Sequence, residues 1–510
     1  MLLSELPRRS ARLEPNIAAG LDRGRQITNR QWRERMLVQA AWLRAHGSGP
    51  GKRVAVLSYN RIEMLDLYFS IPAIGAVIVP VNYRLKAYEL EYQFSDAEVD
   101  ILFVEKALWP EAKTALLKIP RKVTVIGLDF SGDGVLPYEN TVSGPPLTDL
   151  PVFSEHETAL QAYTSGTTGR PKGVLLTHRN MLANSWTGCI EKRIYPGEKL
   201  LHSAPLFHLA AISSFYSTAL IGGTHVFLPA FDPKAVVDTI EKERITFCLF
   251  VPTMINMLLE MPGIEKRDFS SLKIISYGGS SIPVDRLRKA IEVFGCGFVQ
   301  GYGQTEAAPI LTTLRPEEHV LDGPLSKRLA SAGREAVGCE VRVVRPDGSD
   351  VTPGGEVGEV VGRGDNIMKG YWKQPEATAE TLRGGWLHTG DLGWIDEDGY
   401  IYIVDRLKDM IISGGENIYP REIEELLYTH PKILEAAVYG IPDPKWGEKV
   451  IAAVVPRAGQ SLTPEEVGSF CKDNLASYKK PREVLITDIL PRNAAGKVLK
   501  TELRARHGGG

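Results

Sequence analysis

Short apolar runs alternate with amphipathic stretches through much of the chain. Val54-Ala55-Val56-Leu57, Val77-Ile78-Val79-Pro80-Val81 and Ile101-Leu102-Phe103-Val104 read as strands. Between them the spacing turns helical. Met36, Leu37, Ala40 and Leu43 predict a helix over 31–46 that stops near Gly47, and another is expected from about Ile62. This alternation predicts an α/β layer architecture with a largely parallel sheet. A Gly-, Pro- and Asp-rich stretch, 131–151, marks a loop between subdomains. The pattern then resumes with Val226-Phe227-Leu228, a helix from about Pro233, Phe247-Cys248-Leu249-Phe250, Ile274-Ile275-Ser276-Tyr277 and a helix over 284–294. A second α/β unit is therefore expected.

Over 332–363 the pattern changes to short strands, 341–344 and 358–361, with Gly/Pro turns, which predicts a small β-rich subdomain. Ile401-Tyr402-Ile403-Val404 is a further strand, and a boundary is expected near 406–408. About a hundred residues follow, enough for a small α+β domain. The chain shows no internal repeat and no low-complexity block.

One polar stretch stands between two apolar runs. Residues 158–162 lead into Tyr163-Thr164-Ser165-Gly166-Thr167-Thr168-Gly169-Arg170-Pro171-Lys172-Gly173, and Val174-Leu175-Leu176 leads out, so the stretch is a loop between strands. Thr177 then caps a helix beginning near Arg179. The eleven residues hold four Ser/Thr hydroxyls, three glycines and two cations. Glycines let backbone approach a ligand and turn its N–H groups inward. Such a concavity, with hydroxyls and a cation, suits phosphate oxygens. It is not a Walker A loop, because no Gly-Lys-Ser/Thr follows Gly166 at the required spacing. The bland alternative is a flexible surface hairpin, which has no need of so many hydroxyls and a Pro-Lys-Gly turn.

Composition narrows the setting. With 510 residues, two or more domains are expected. Hydrophobic residues at 43% and charged residues at 24% fit a soluble globular protein. Net charge is -2, from 60 basic and 62 acidic side chains, so nucleic acid is not an expected partner. Cys189, Cys248, Cys296, Cys339 and Cys471 are far apart and form no C-x-x-C pair, which favours a reducing compartment over a zinc site or disulfide framework. No apolar signal region follows the first residues. The most apolar segment, 69–81, is broken by Pro72, Gly75 and Pro80, far short of the roughly 20 residues that span a bilayer. A cytoplasmic enzyme without a transmembrane segment is expected.

Further motifs follow the loop in order: Pro205-Leu206-Phe207-His208, Tyr277-Gly278-Gly279-Ser280, Gln300-Gly301-Tyr302-Gly303-Gln304-Thr305-Glu306, His388-Thr389-Gly390-Asp391, 405–417 and 491–497. With them the chain resembles the adenylate-forming superfamily of acyl-CoA synthetases, 4-coumarate–CoA ligases, luciferases and peptide-synthetase adenylation domains. The wording of 406–417 is most similar to bacterial fatty-acyl-CoA ligases. The resemblance covers nearly the whole chain. It implies an N-terminal adenylation domain over 1–405, a hinge at 406–409, and a small mobile α+β domain over 410–510 that carries a catalytic lysine.

The implied reaction uses ATP and Mg²⁺ to join a carboxylic acid to AMP with release of pyrophosphate, then passes the acyl group to coenzyme A. Both reacting partners are anions, so positive charge must converge on the reacting atoms. By resemblance, Thr164, Ser165, Gly166, Thr167, Thr168, Gly169 and Lys172 hold the departing phosphates. Thr305 bonds the α-phosphate, and Glu306, with Thr164, ligates Mg²⁺, a hard cation that prefers oxygen. Lys497 bridges carboxylate and α-phosphate; outside this pattern it would be a solvated charge. Asp391 and Arg406 hold the ribose, Tyr302 stacks on adenine, and Gly278, Gly279, Ser280, Gly301 and Gly303 border the base and the acyl pocket. Helix-cap or turn roles are the alternatives for Thr305-Glu306 and Asp391.

Lys408 occupies the hinge position, where a large φ/ψ change is absorbed. The loop of Gly414, Gly415 and Glu416 would line the pantetheine tunnel. Trp446 and Lys479-Lys480 resemble CoA-contacting positions, with simple packing an open alternative for Trp446. His208 is either a gate beside the acyl pocket or a structural histidine. It also stands where amino-acid-activating relatives place an aspartate, which disfavours an α-amino acid. The pocket segments 207–214, 276–279 and 301–309 show no second cation, which favours a monocarboxylic acid, fatty or aryl. An amine in place of coenzyme A would make the chain an amide bond synthetase. A nucleotide-binding protein without turnover is the alternative of another class. A homodimer is the assembly admitted.

Overall fold

The computed structural model describes residues 1–164, 170–280, 282–407, 409–413, 416–475, 479–492 and 498–507. Two compact units emerge, one of residues 1–341 and 362–387, the other of 342–361 and 388–510.

The first unit is built on two large sheets. One runs Gly370–Tyr371, Gly173–Thr177, Thr158–Tyr163, Val77–Pro80, Arg53–Leu57, Val99–Val104, Thr124–Gly127, Val135–Pro137. Its middle strands are parallel and buried on both faces, as their unbroken apolar runs predict. The other runs Arg334–Glu335, Thr312–Leu314, Gly297–Tyr302, Ile274–Gly278, Phe247–Phe250, Lys199–His202, Thr224–Phe227, Ala18–Asp22, Arg25–Thr28. From Gly297–Tyr302 to Ala18–Asp22 every pairing in it is parallel.

The helices Met64–Ala73 and Leu209–Ile221 lie in one hydrophobic core with residues of both sheets. All ten residues of the first are buried, as expected of a helix apolar all round. Tyr216 Oη donates to the Tyr68 carbonyl at 2.9 Å, and Tyr68 Oη donates to the Leu206 carbonyl, so the buried phenols are satisfied. Thr28 and Thr177 cap their helices reciprocally with Gln31 and Asn180. The expected helices are found at Asn29–Ala45, Met64–Ala73, His178–Glu191, Pro233–Glu243 and Val284–Phe294.

The second unit carries a four-stranded sheet, Cys339–Val344, Gly358–Gly364, Leu387–Ile395, Ile401–Arg406, and a five-stranded one. In the latter, Ile433–Asp443 and Gly447–Pro456 form a long hairpin, flanked by helices Pro420–Tyr428 and Pro464–Asn474. Of the expected β-rich subdomain, residues 342–361 thus group with the C-terminal part, and 332–341 and 362–363 with the first unit. The strand Ile401–Arg406 runs straight on into that part, and Asp405 Oδ2 accepts from the Arg421 amide at the start of the next helix, 2.9 Å. The expected division at 406–409 therefore falls inside the second unit. Among the described residues no helix is long and apolar enough to cross a membrane.

Candidate active site

In open α/β sheets, ligands bind beyond the carboxyl ends of the strands. Four such ends in the first unit carry the motif residues. Lys199–His202 leads to Pro205–His208, Ile274–Gly278 to Gly279 and Ser280, Gly297–Tyr302 to Gly303, Thr305 and Glu306, and Thr158–Tyr163 to Thr164. Glycine is required at two of these turns. A Cβ on Gly278 would lie 2.3 Å from the Gly301 carbonyl oxygen, so that strand end must be a glycine. Gly303 has φ +154°, and a Cβ there would lie 1.9 Å from the Pro309 carbonyl oxygen.

The polar loop is a hairpin. Tyr163 pairs with Gly173, and the Thr164 amide donates to the Lys172 carbonyl at 3.1 Å. Ser165, Gly166, Thr167, Thr168 and Gly169 lie outside the described residues. The loop's exit is held firmly. The Tyr92 hydroxyl donates to the Pro171 carbonyl at 2.9 Å, and Arg170 lies over the Tyr92 ring.

Glu306 sits in a short turn, Thr305–Ala307, and is 8% exposed, whereas Thr305 is half-buried. Its Oε1 accepts a 2.7 Å hydrogen bond from the hydroxyl of Tyr371. Lys172 Nζ lies 4.7 Å from the centroid of the same ring. Burial, and then the Glu306 charge, push the Tyr371 hydroxyl upward and keep it a donor. Tyr371 reaches this place because Gly370–Tyr371 adds an antiparallel strand to Gly173–Thr177, with Tyr371 opposite Val174. Asn366 Nδ2 fixes the turn from behind, donating to the Ala307 and Ile310 carbonyls at 2.8 and 2.6 Å. Tyr371 and Asn366 were not anticipated from sequence. The one signal was Gly370-Tyr371-Trp372, a glycine and two aromatics between Lys369 and Lys373.

His208 is the N-cap residue of helix Leu209–Ile221, half-buried, with its ring 4.3 Å from that of Phe207. Desolvation, then the nearby Arg84 charge, push its imidazole down to about 4, so it is neutral at physiological pH. A buried cation touches this helix from outside the expected pocket segments. Lys192, 3% exposed, donates to Ser214 Oγ at 3.2 Å on this same helix.

In the second unit, Asp391 and Arg406 face each other across an antiparallel pair, with Arg406 Nε 2.7 Å from Asp391 Oδ1. Gly390, at φ +67°, makes the bend before Asp391, and the Thr389 hydroxyl accepts from the Asp391 amide at 3.0 Å. Glu416 is exposed and pairs with Ser413, which also pairs with Gly447. That pairing sets Trp446 beside the hairpin of Glu416. Lys445 Nζ and Arg482 Cζ lie 4.9 and 4.7 Å from the Trp446 ring centroid. Lys479 is engaged with Glu422 at 2.6 Å. Lys408, Gly414, Gly415 and Lys497 lie outside the described residues.

Among the described residues no cluster of three His, Cys, Asp or Glu side chains is placed to hold a metal. The Glu306 carboxylate and the Thr164 hydroxyl are oxygen donors of the kind Mg²⁺ takes. That ion is usually held by one or two carboxylates together with substrate phosphates, rather than by an all-protein cage.

Family models match most of the chain, "AMP-binding enzyme" over residues 7–372 and "AMP-binding enzyme C-terminal domain" over 422–497. Feruloyl-CoA synthase of an Amycolatopsis species is 42% identical over 511 residues, covering 99% of each chain. Indoleacetate–CoA ligase of Aromatoleum aromaticum is 38% identical, covering 99% of this chain and 98% of its own. Among solved structures, ATP-bound MatB from Rhodopseudomonas palustris superposes with a TM-score of 0.90 at 31% identity, covering 100% and 99% of the two chains. The amide bond synthetase McbA from Marinactinospora thermotolerans gives 0.88 at 31%, covering 99% and 100%. O-succinylbenzoate CoA synthetase from Bacillus subtilis, in complex with ATP and magnesium, gives 0.85 at 30%, covering 98% and 99%.

Proposed function

The chain belongs to the AMP-binding enzyme family, the adenylate-forming superfamily, and from that premise we propose that it is an AMP-forming acid–thiol ligase. In the first half-reaction an oxygen of the carboxylate attacks the α-phosphorus of ATP, and pyrophosphate leaves. In the second, the thiol sulfur of coenzyme A attacks the acyl carbonyl, the thiol proton is lost, and AMP leaves.

One observation carries the reading. Lys172 at the exit of the polar hairpin, Tyr371 from a distant strand and Glu306 after Tyr302 are joined through one aromatic ring. A cation, a phenol and a carboxylate so arranged suit a polyphosphate that arrives with a divalent ion. Lys172 and the hairpin hydroxyls hold the departing phosphates, and Thr305 donates to the α-phosphate. Glu306 and the Thr164 hydroxyl would hold magnesium, which when bound would spread the charge of the leaving pyrophosphate. Tyr302 and the 278–280 turn receive the adenine, and Asp391 accepts from the ribose hydroxyls with Arg406 beside it.

Lys497 supplies the cation for the first half-reaction, and the chain turns about Lys408 between the two steps. The turn 413–417 and Trp446, flanked by Lys445 and Arg482, then face the coenzyme A chain and its phosphates. Acid-dependent exchange of labelled pyrophosphate into ATP tests the first step, and thioester formation tests the second. Absence of exchange over a broad panel of acids would favour a nucleotide-binding protein without turnover.

A second reading keeps the adenylate and changes the acceptor to an amine. The likeness to McbA, as great as that to the CoA ligase structures, is what favours it. Supplying acid and ATP with coenzyme A or with an amine separates the two. Amide without thioester would select the second.

A further inference from the structure

Helix Ala87–Asp96 touches the polar hairpin, yet the proposed chemistry gives it no part. Tyr92 and Asp96, four residues apart, share one face of it. Each meets a different strand of the hairpin. The hydroxyl of Tyr163, the residue before Thr164, donates to Asp96 Oδ2 at 2.6 Å. On the exit strand the Tyr92 hydroxyl holds the carbonyl of Pro171, the residue before Lys172. The two positions so flanked, Thr164 and Lys172, are themselves joined by a backbone hydrogen bond. Asp96 reaches a third strand as well. Its carbonyl accepts from the indole N–H of Trp372 at 2.8 Å, and Trp372 follows the Tyr371 that bonds Glu306.

A carboxylate is an unfavourable structural partner at this place. Asp96 stands in the last turn of its helix, where the helix dipole disfavours negative charge. It also stands behind a hairpin that would hold phosphates, which a nearby anion repels. What the carboxylate makes there is a charge-assisted hydrogen bond, stronger and better directed than a neutral one. Gln161 Nε2 donates to the same Tyr163 hydroxyl at 3.0 Å, so the phenol is held through its proton and through a lone pair. Burial, and then the bond to Asp96, push the Tyr163 hydroxyl upward and keep it a donor.

We propose that Tyr92 and Asp96 are positioning residues for the adenylation step, and that helix Ala87–Asp96 clamps both strands of the hairpin so that Thr164 and Lys172 meet the departing pyrophosphate in register. This rests on the acid-activating function proposed above. Neither residue touches the reacting atoms; Asp96 acts through Tyr163, and Tyr92 acts through the Pro171 carbonyl. Groups that stabilise a transition state must be held closely, and a misplacement of about 1 Å costs about 100-fold. The acyl-adenylate has already lost its β- and γ-phosphates, so the clamp bears on the first half-reaction and not on the second.

The test sets acid-dependent ATP–pyrophosphate exchange against thioester formation from preformed acyl-adenylate and coenzyme A. Tyr163→Phe, Tyr92→Phe and Asp96→Ala should each lower kcat/KM for ATP in exchange by about tenfold or more, with thioester formation within about twofold of wild type. The double variant Tyr163→Phe/Asp96→Ala should lose no more than the worse of its two single variants, because both remove the same bond. Equal losses in the two reactions, as a merely structural helix would give, overturn the proposal. So does exchange within about twofold of wild type in either phenylalanine variant, and so do losses that multiply in the double variant. If Asp96→Ala does not fold, the two phenylalanine variants, which keep their rings, carry the test. A wild-type protein that exchanges with no acid removes the acid-activating function and this inference with it. One that exchanges but is indifferent to the substitutions removes the inference alone.

Discussion

Tyr371→Phe removes one hydroxyl and leaves the ring. The residue is 9% exposed, and its hydroxyl is held 2.7 Å from Glu306 Oε1. A hydrogen bond to a charged group contributes about 1.5–3 kcal/mol. At 1.36 kcal/mol per factor of ten, that is about 10- to 150-fold. The ring stays beneath Lys172 Nζ, so the change isolates the carboxylate arm. In acid-dependent ATP–pyrophosphate exchange, Tyr371→Phe should lower kcat/KM within that range and raise the Mg²⁺ concentration for half-maximal rate. Tyr371→Leu removes the cation–π contact as well, worth about 0.5–2 kcal/mol, and should lose a further two- to thirtyfold. Circular dichroism checks that both variants fold. A Phe variant within twofold of wild type across the whole Mg²⁺ titration would refute the idea that Tyr371 holds Glu306 for metal and phosphate. Equal losses in Phe and Leu would refute a role for the ring in seating Lys172.

Lys192→Met should raise stability at neutral pH. The folded group titrates near 8 against an ordinary 10.5, so its burial is unfavourable below pH 8, and the penalty fades as pH rises towards 10.5. The shift corresponds to about 3 kcal/mol. Urea unfolding should therefore show the variant more stable than wild type at pH 7, with the gap closing by pH 10.5; a gap independent of pH would contradict it. Gly303→Ala forces a Cβ against the Pro309 carbonyl and displaces the Thr305–Ala307 turn. A displacement of about 1 Å is expected to cost about 100-fold in the exchange rate, and wild-type exchange in a folded variant would show the turn to be irrelevant.

The main elements were legible because their apolar runs have one period each. Val54 to Leu57 and Phe247 to Phe250 have no polar face to confuse strand with loop, and Thr177 marks its helix start with a hydroxyl. The strand Ala18–Asp22 was not legible. Its Ala-Ala-Gly-Leu-Asp sequence has little β preference, and it forms by pairing beside Thr224–Phe227, some two hundred residues away. Gly20 lets Leu65 pack closely there, since a Cβ would lie 2.6 Å from Leu65 Cδ1. The motif stretches stood out in the sequence as polar, glycine-rich runs after apolar ones, but Tyr371 did not, since a two-residue strand has no period to detect. Nothing in the sequence singles out Lys192. It is buried because helix Leu209–Ile221 packs close at Gly188, where a Cβ would lie 2.6 Å from Ser217 Oγ. Three strands of the four-stranded sheet were foreseen and Leu387–Ile395 was not, and the grouping of 342–361 with the C-terminal part depends on long-range contacts that local pattern does not record.

On the proposed function, two mutually repelling anions, a carboxylate and ATP, are joined with the help of Lys497. The direct measurement is made on Lys497→Ala, comparing acid-dependent ATP–pyrophosphate exchange with thioester formation from preformed acyl-adenylate and coenzyme A. Exchange should fall by about 100-fold or more while thioester formation stays within a few-fold of wild type, as expected for a cation acting on one transition state only. Equal loss in both reactions, or undiminished exchange, would contradict it.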